Sequence, residues 1–458
     1  MKKKITAWMM ALLVVLSVWT AVPCAADASV NILANGNLEI TDVVSSLPTG
    51  IVVQEQIGEN VVVETVTDGA NGNVLHMKTT DDTDKVILYM QSRPDTSKLY
   101  YGALSLKGTA AKVIVDLVRN PGSATPVPGM GGSAEPFDTK GDWLRFMRTS
   151  QTAASANYLG IRVTVEGAGD LYLDDFALWP YETSLDENLI VNGDFEAVSV
   201  LTGEVAYNDY KAAPGWGVAD ATHLYTLGTP NINAAQNGNG CALVSGTTGG
   251  RHVKQTVYGM EIGKVYKLTI LHKNVLVFDG TSVVSFGGQP VNMTEDTTYT
   301  ENADHGTLKK SEAYIRATAE SAELKIKAPT GWSTYDDISL LPVETNVVIE
   351  KEGKEIQTLE DGILNIEYTY APTATETGTV TMLVILYDKS GAALRMEEAV
   401  ISETKTITVG SDAPIVLAEK LTVEDAANKE VRVLLWDSAA GMKKMADSIT
   451  LSPAPAAE

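Results

Sequence analysis

Apolar and polar residues alternate along this chain in short segments. Examples run from Val61 to Val66, Lys85 to Met90, Lys112 to Val118, Gly160 to Val165, Val265 to Leu271, Ala322 to Lys327, Thr379 to Tyr387 and Glu430 to Trp436. A period of two marks strands with one face buried, and the Gly, Asn, Asp and Pro residues between segments mark turns. Sustained helical periodicity is nearly absent, so the pattern predicts an all-β protein with turns at the spacing of β-sandwiches. One stretch breaks the rhythm. Arg119 to Asp142 holds four Pro and five Gly and reads as a structureless binding loop or insertion. A second long stretch, about Lys273 to Lys310, carries Phe278, Phe286 and Tyr299.

A nonapeptide pattern occurs twice, as Asn31-Ile-Leu-Ala-Asn35-Gly36-Asn37-Leu38-Glu39 and Asn188-Leu-Ile-Val-Asn192-Gly193-Asp194-Phe195-Glu196, 157 residues apart. Each copy is closed by a second shared signature, Tyr172-Leu-Asp174-Asp175-Phe176-Ala-Leu178 and Thr334-Tyr-Asp336-Asp337-Ile338-Ser-Leu340. A period this long matches a whole domain rather than a solenoid repeat, which predicts tandem modules at 29–182 and 183–343. Residues 344–451 carry neither signature. Their strands and their turns at Asp388-Lys-Ser-Gly391 and Asp437-Ser-Ala-Ala-Gly441 suggest an immunoglobulin-like sandwich, followed by a disordered tail at 452–458.

Composition narrows the setting. Lys2-Lys3-Lys4, an apolar run from Ile5 to Val22 and the small residues Ala25, Ala26 and Ala28 read as a secretory signal peptide spanning 1–28, cut after Ala28 or after Ala26. The full chain carries a formal charge of -23, and loss of three Lys and Asp27 with the leader leaves -25. That charge repels nucleic acid and anionic membranes, and no later segment is long and apolar enough for a membrane-spanning helix. Cys24 leaves with the leader, so Cys241 has no partner for an internal disulfide. The expected product is a secreted protein, extracellular or surface-associated, and monomeric.

Strand alternation gives the Asp pairs a specific meaning. Asp174 should share a face with Phe176 and Leu178, and Asp336 with Ile338 and Leu340, which points one carboxylate of each pair inward. Such a carboxylate needs a cation or several donors. With Glu39 and Glu196 as second oxygen ligands, calcium sites result; a carboxylate satisfied by backbone amides in a turn accounts for the same residues equally well.

Sugar recognition needs aromatic faces beside amide, guanidinium or carboxylate groups. The second module offers Tyr207, Tyr210, Trp216, Tyr225 and Trp332 near Gln236 and Arg251, with Trp216 equally readable as core; the first offers Tyr100, Tyr101 and Tyr158, with Trp143 read as core. No metalloprotease, serine-hydrolase or phosphate-loop motif is present, and the five His are scattered, so no catalytic residue is assigned. A glycoside hydrolase needs only two carboxylates, which composition does not exclude.

Asn188 to Glu196, Pro214-Gly-Trp216, Gln255 to Tyr266 and Tyr335-Asp-Asp together resemble a CenC-type carbohydrate-binding module, of the galactose-binding-like kind. The first module resembles the same family through Asn31 to Glu39, Gly141-Asp-Trp143 and Gly169 to Asp175, but lacks the Pro-Gly-Trp element. The resemblance implies two jelly-roll β-sandwiches, one structural calcium in each, held by Glu39 with Asp174 and by Glu196 with Asp336, and a non-catalytic role in binding plant or microbial polysaccharide. The alternative expectation is a structural or adhesive surface protein whose modules bind other proteins or act as spacers.

Overall fold

The structure, a computed structural model, describes residues 31–42, 47–69, 72–122, 127–149, 157–198, 201, 214–219, 223–225, 241–245, 252–273, 276–278, 281–299, 308–328, 332–373, 375–391, 393–408 and 412–454. At 127–131, 218–219, 223–225, 241–245, 277–278 and 332 only the backbone is described. The leader expected at 1–28 lies outside these residues. The chain is all-β; among the described residues no helix is long and apolar enough to cross a membrane. It divides into two compact units. One holds the chain up to Leu185 together with Val198–Ala206, and the other holds Asp186–Ala197 and the chain from Tyr207 onward.

The first unit comprises β1 (Ile51–Ile57), β2 (Val62–Asp68), β3 (Gly72–Thr79), β4 (Lys85–Ser92), β5 (Tyr100–Arg119), β6 (Val127–Ala134), β7 (Phe137–Asp138), β8 (Leu144–Thr149) and β9 (Leu159–Pro180). β5 and β9 pair antiparallel along their whole length, from Tyr100 opposite Pro180 to Arg119 opposite Leu159. This ribbon belongs to two layers. One half of β9 pairs β4 and the other pairs β3, while β5 pairs β6, β7 and β8 in turn. Strands that pass between layers must bend. The bend lies at a register shift between Ala110 and Lys112, flanked by Gly108 (φ 124°) and Gly167 (φ 77°). A Cβ on Gly108 would stand 2.1 Å from the Asp170 carbonyl, so only glycine fits there. Facing layers touch at Gly102, where a Cβ would meet the Leu117 side chain at 2.7 Å.

The loop expected at 119–142 proves to be partly strand, because β6 and β7 lie inside it. Proline misled the reading: β6 pairs on one side only, with β5, and an edge strand tolerates residues that cannot donate to a ladder. Val198 adds a parallel bridge to Phe146 on β8, and its amide and carbonyl bond the Arg145 carbonyl and the Met147 amide.

In the second unit, β10 (Gly217–Ala219), β11 (His223–Tyr225), β12 (Cys241–Ser245), β13 (His252–Tyr258), β14 (Val265–His272), β15 (Val277–Phe278), β16 (Thr281–Ser282), β17 (Val284–Phe286), β18 (Gln289–Pro290), β19 (Thr294–Glu295), β20 (Lys309–Arg316), β21 (Ser321–Lys327) and β22 (Trp332–Pro342) form a sandwich. Its sheets run β10-β13-β21-β17-β18 and β11-β12-β22-β14-β20-β19, while β15 and β16 pair with each other as a separate hairpin. Val253, Val257, Leu324 and Ile326 from one sheet meet Leu268, Ile270, Ile338 and Leu340 from the other in a common core.

The chain continues as β23 (Asn346–Lys351), β24 (Lys354–Glu355), β25 (Gly362–Tyr370), β26 (Gly378–Asp388), β27 (Arg395–Ile401), β28 (Lys405–Ile407), β29 (Ile415–Val423), β30 (Lys429–Trp436) and β31 (Ile449–Leu451). These strands make a C-terminal sandwich with its own core, in which Leu364, Ile366 and Leu421 face Val384, Val431 and Val433. Ser452, expected in a disordered tail, accepts the Leu359 amide at 2.9 Å.

Candidate functional site

The two copies of the opening motif make the same set of bonds, each inside its own unit. The Asn31 side-chain oxygen accepts the Leu33 amide (3.1 Å) and the Leu178 amide (2.9 Å). The Asn188 oxygen accepts those of Ile190 (3.0 Å) and Leu340 (2.9 Å). Asn35 and Asn192 both sit at positive φ, as do Leu38 and Phe195. The side chains of Asn35 and Asn192 then close the loop, taking the amides of Ile40 (2.8 Å) and Ala197 (2.9 Å).

Glycine is required at the centre of each motif. A Cβ would stand 2.0 Å from the Phe176 carbonyl at Gly36 and 1.9 Å from the Ile338 carbonyl at Gly193, and the glycine carbonyls accept the Phe176 and Ile338 amides. The opening loop is thereby fastened to the closing strand through polar backbone groups that burial would otherwise leave unpaired.

The Asp-Asp signature is the receiving half of this fastening. Asp175 (φ 49°) and Asp337 (φ 42°) occupy the left-handed region, which aspartate tolerates better than most residues. Each preceding Asp caps the bend, Asp174 Oδ1 accepting the Asp175 amide at 2.7 Å and Asp336 Oδ1 the Asp337 amide at 2.8 Å. Register shifts by one residue at this point in both units, Ser105 and Ala103 facing Asp174 and Ala177, and Leu271 and Thr269 facing Asp336 and Ser339. These are β-bulges, and a one-residue shift reverses which face a side chain occupies.

The expectation that Asp174 and Asp336 share a face with Phe176 and Ile338 is therefore corrected. Both carboxylates are buried, at 5% and 2% exposure, but on the face opposite those core residues.

Burial pushes the Asp174 carboxyl up to about 7; the charges of Asp175 and Glu39 add to this, while the Asp175 amide and Arg145 oppose it. The charge of Glu39 thus acts on Asp174. The Glu39 carboxylate is exposed and accepts the Asn73 amide at 3.1 Å. In the second unit Asp336 is buried and Glu196 half-buried. Among the described residues no cluster of three or more His, Cys, Asp or Glu side chains is placed to hold a metal ion. In the first unit Glu39 and the buried Asp174 are oxygen donors of the kind a hard divalent cation takes.

Trp216 is corrected as a ligand-binding candidate. It is 4% exposed, packs on Phe195 at 5.1 Å between ring centroids, and donates its indole N–H to the Asn192 carbonyl at 2.9 Å. The Pro-Gly-Trp element is a buckle for the opening loop: Pro214 accepts from Asn192, and Gly215 from Gln255, whose amide also exchanges two bonds with Val191. The first unit lacks that element, and there the Thr49 carbonyl accepts from Asn35 at 3.1 Å. Tyr207, Tyr210, Gln236 and Arg251 lie outside the described residues. For Tyr225 and Trp332 only the backbone is described, at the C-terminal end of β11 and the N-terminal end of β22. In the first unit Tyr100 and Tyr101 are buried at 2% exposure each, and Tyr158 lies under Arg93. Trp143, expected as core, is half-buried with Lys107 over its ring.

A site that the sequence did not reveal lies in the second unit, at the end of the sandwich away from Trp332. Trp332 pairs with Ser245, whereas Arg316 pairs with Val265 at the other end of the same sheet. There the chain passes from β18 in one sheet to β19 in the other, and a cleft of about 420 Å³ opens beside it. Phe286, Gln289, Asn292, Tyr314 and Arg316 line it, joined by Asp412 of the C-terminal sandwich. Phe286 is 8% exposed and Tyr314 half-buried, while Gln289 and Asn292 are exposed. Arg316 is held by Asp412 Oδ1 (3.2 Å) and by the Gly263 carbonyl (2.8 Å). Scattered single residues on three strands and a distant loop leave no contiguous motif, so only folding reveals the group.

No protein-family profile and no curated protein matches the sequence. Solved structures share low similarity. The enzymatically active domain of bacteriophage CBA120 tailspike protein 4 is 11% identical over 33% of this chain and 21% of its own, at a TM-score of 0.27. TmCBM61, determined with β-1,4-galactotriose, is 16% identical over 33% of this chain and 98% of its own, at 0.25. The tandem CBM22 domain of Paenibacillus barcinonensis Xyn10C is 12% identical over 70% and 99%, at 0.24. This chain thus spans about a fifth of the tailspike structure. Likenesses this distant carry no functional argument, which rests on the residues above.

Proposed function

We propose that this is a secreted, non-catalytic polysaccharide-binding protein whose second unit holds the glycan. The observation that carries the reading is the cleft at the β18–β19 crossing. Met260, Phe286, Val291 and Tyr314 line it with apolar and aromatic surface, beside the exposed amides of Gln289 and Asn292 and the Asp412 carboxylate that the buried Arg316 guanidinium holds. That combination offers apolar surface to the C–H faces of a sugar and directional partners to its hydroxyls. The charge of -23 favours neutral over anionic polymers.

The matching bonds that fasten the opening to the closing signature in each unit support a further part of the reading, that residues 29–182 and 183–343 are copies of one module. In each, a calcium ion would neutralise the paired carboxylates, Glu39 with Asp174 and Glu196 with Asp336, and brace the fastening; its role is structural. The motifs that carry the family resemblance, Asn-Gly, Pro-Gly-Trp and Asp-Asp, act as fasteners, so ligand specificity resides elsewhere.

Affinity electrophoresis of the full chain through gels containing soluble xylan, mixed-linkage β-glucan or galactomannan tests the reading. Retardation by one of these polymers is expected. Migration unchanged in all three gels, with the protein folded and calcium-loaded, would turn the assignment towards a structural or protein-binding role.

A further inference from the structure

We propose that the C-terminal sandwich forms a wall of the glycan cleft, with Asp412 contacting the sugar directly; this rests on the function proposed above. Asp412 comes from the segment leading into β29, 96 residues beyond Arg316 in sequence, yet the two are bonded at 3.2 Å. The Arg316 side chain is only 10% exposed, whereas that of Asp412 is 42% exposed. The buried guanidinium thus fixes one carboxylate oxygen, and the other remains available at the cleft rim. A second ion pair, Lys264 with Glu344 at 2.7 Å, ties the same end of the second sandwich to the chain entering β23.

An anchored carboxylate is well suited to a sugar. One oxygen is spent on the arginine, so the other accepts a hydroxyl proton in a fixed direction, and hydrogen bonds to a charged acceptor are stronger than those between neutral groups. The Gln289 and Asn292 amides, both exposed, add donors and acceptors to the same cleft. By register, Asn292 lies opposite Tyr314, since Thr294 pairs with Glu312 two residues along each strand. The arginine and aspartate charges cancel, so the cleft has no net positive charge to attract a uronic acid. The ligand class is a neutral polysaccharide whose exposed hydroxyls bridge Asn292 and Asp412.

Calorimetric titration of the full chain with xylohexaose, cellohexaose, mannohexaose and a hexamer of galacturonic acid tests this, using wild type, Asn292→Ala, Asp412→Ala and Asp412→Asn. Asp412→Asn keeps an acceptor for the Arg316 Nε–H but replaces the second oxygen by a donor. Both Asp412 variants should weaken binding of a neutral hexamer about tenfold or more, the scale of one charged hydrogen bond. Asn292→Ala should also weaken it, and the galacturonate hexamer should not bind.

If Asp412→Ala weakens binding and Asp412→Asn does not, the residue serves only to dock the sandwiches and the proposal falls. If Asn292→Ala weakens binding while both Asp412 variants bind like wild type, the cleft stands and the role of the C-terminal sandwich is overturned. Tight binding of the galacturonate hexamer would overturn the neutral-ligand assignment. Failure of wild type to bind any hexamer, together with unretarded migration in the polymer gels, would remove the function itself.

Discussion

Replacing Asp174 by Asn separates the cost of burying its carboxylate from any benefit of binding a cation. Burial and the neighbouring acids raise the Asp174 carboxyl from 3.8 to about 7. The folded state therefore holds its proton more tightly than the unfolded chain, the reverse of a salt-bridged aspartate. Stability from this group is greatest below about pH 4 and is lost progressively as pH rises towards 7. At roughly 1.4 kcal/mol per pH unit, the ionised form costs the metal-free protein at most about 4 kcal/mol.

Asparagine keeps the bond to the Asp175 amide but brings a polar group of its own, worth roughly 1–2 kcal/mol of desolvation. In chelator at pH 8, Asp174→Asn should thus stabilise the first unit by about 2–3 kcal/mol, and at pH 4 the advantage should vanish. Scanning calorimetry resolves this as a rise of about 5–10 °C in one transition at pH 8. Millimolar calcium should invert the order, because the variant has lost the charge that the cation neutralises. An equal loss of stability at pH 4 and pH 8 in chelator would refute the burial argument; a wild type unmoved by calcium would refute the cation.

Other substitutions test the fasteners. Gly36→Ala and Gly193→Ala force a methyl into a backbone carbonyl, and each should destabilise its unit by about 3 kcal/mol or more in urea titrations. Asn188→Ala strands the amides of Ile190 and Leu340, and a loss of about 2–3 kcal/mol is expected by the same measurement. Trp216→Ala should cost about 3–5 kcal/mol of stability, as expected for a buried indole. At temperatures where the variant remains folded, its affinity for glycan should match that of wild type; a selective loss of affinity with unchanged stability would return Trp216 to the binding surface.

Much of the fold was legible because strand periodicity and turn residues are local properties. The segments from Val265 to Leu271 and Ala322 to Lys327 fall within observed strands. The Asn-Gly and Asp-Asp signatures were visible as a repeated pair, and the structure bonds the two to each other within each unit. What the residues alone could not supply was the bulge. A single extra residue at Asp175 or Asp337 inverts the alternation from which the direction of Asp174 and Asp336 was read. The strands in 119–142 were hidden by proline, which is costly in a central strand and harmless on an edge. Trp216 was ambiguous because an indole serves a core or a sugar equally well, and only its bond to the Asn192 carbonyl decides. The cleft escaped notice because Phe286, Asn292, Tyr314 and Asp412 share no local pattern.

The central claim is that glycan is held in the cleft at the β18–β19 crossing. It is tested most directly by comparing wild type with a Gln289→Ala/Asn292→Ala double variant in affinity gels of the polymer that retards the wild type best. Both side chains are exposed, so the fold should survive intact. The account predicts that retardation is lost while the melting temperature is unchanged. Retardation equal to that of wild type would contradict it and move the binding surface to the opposite end of the sandwich, beside Trp332.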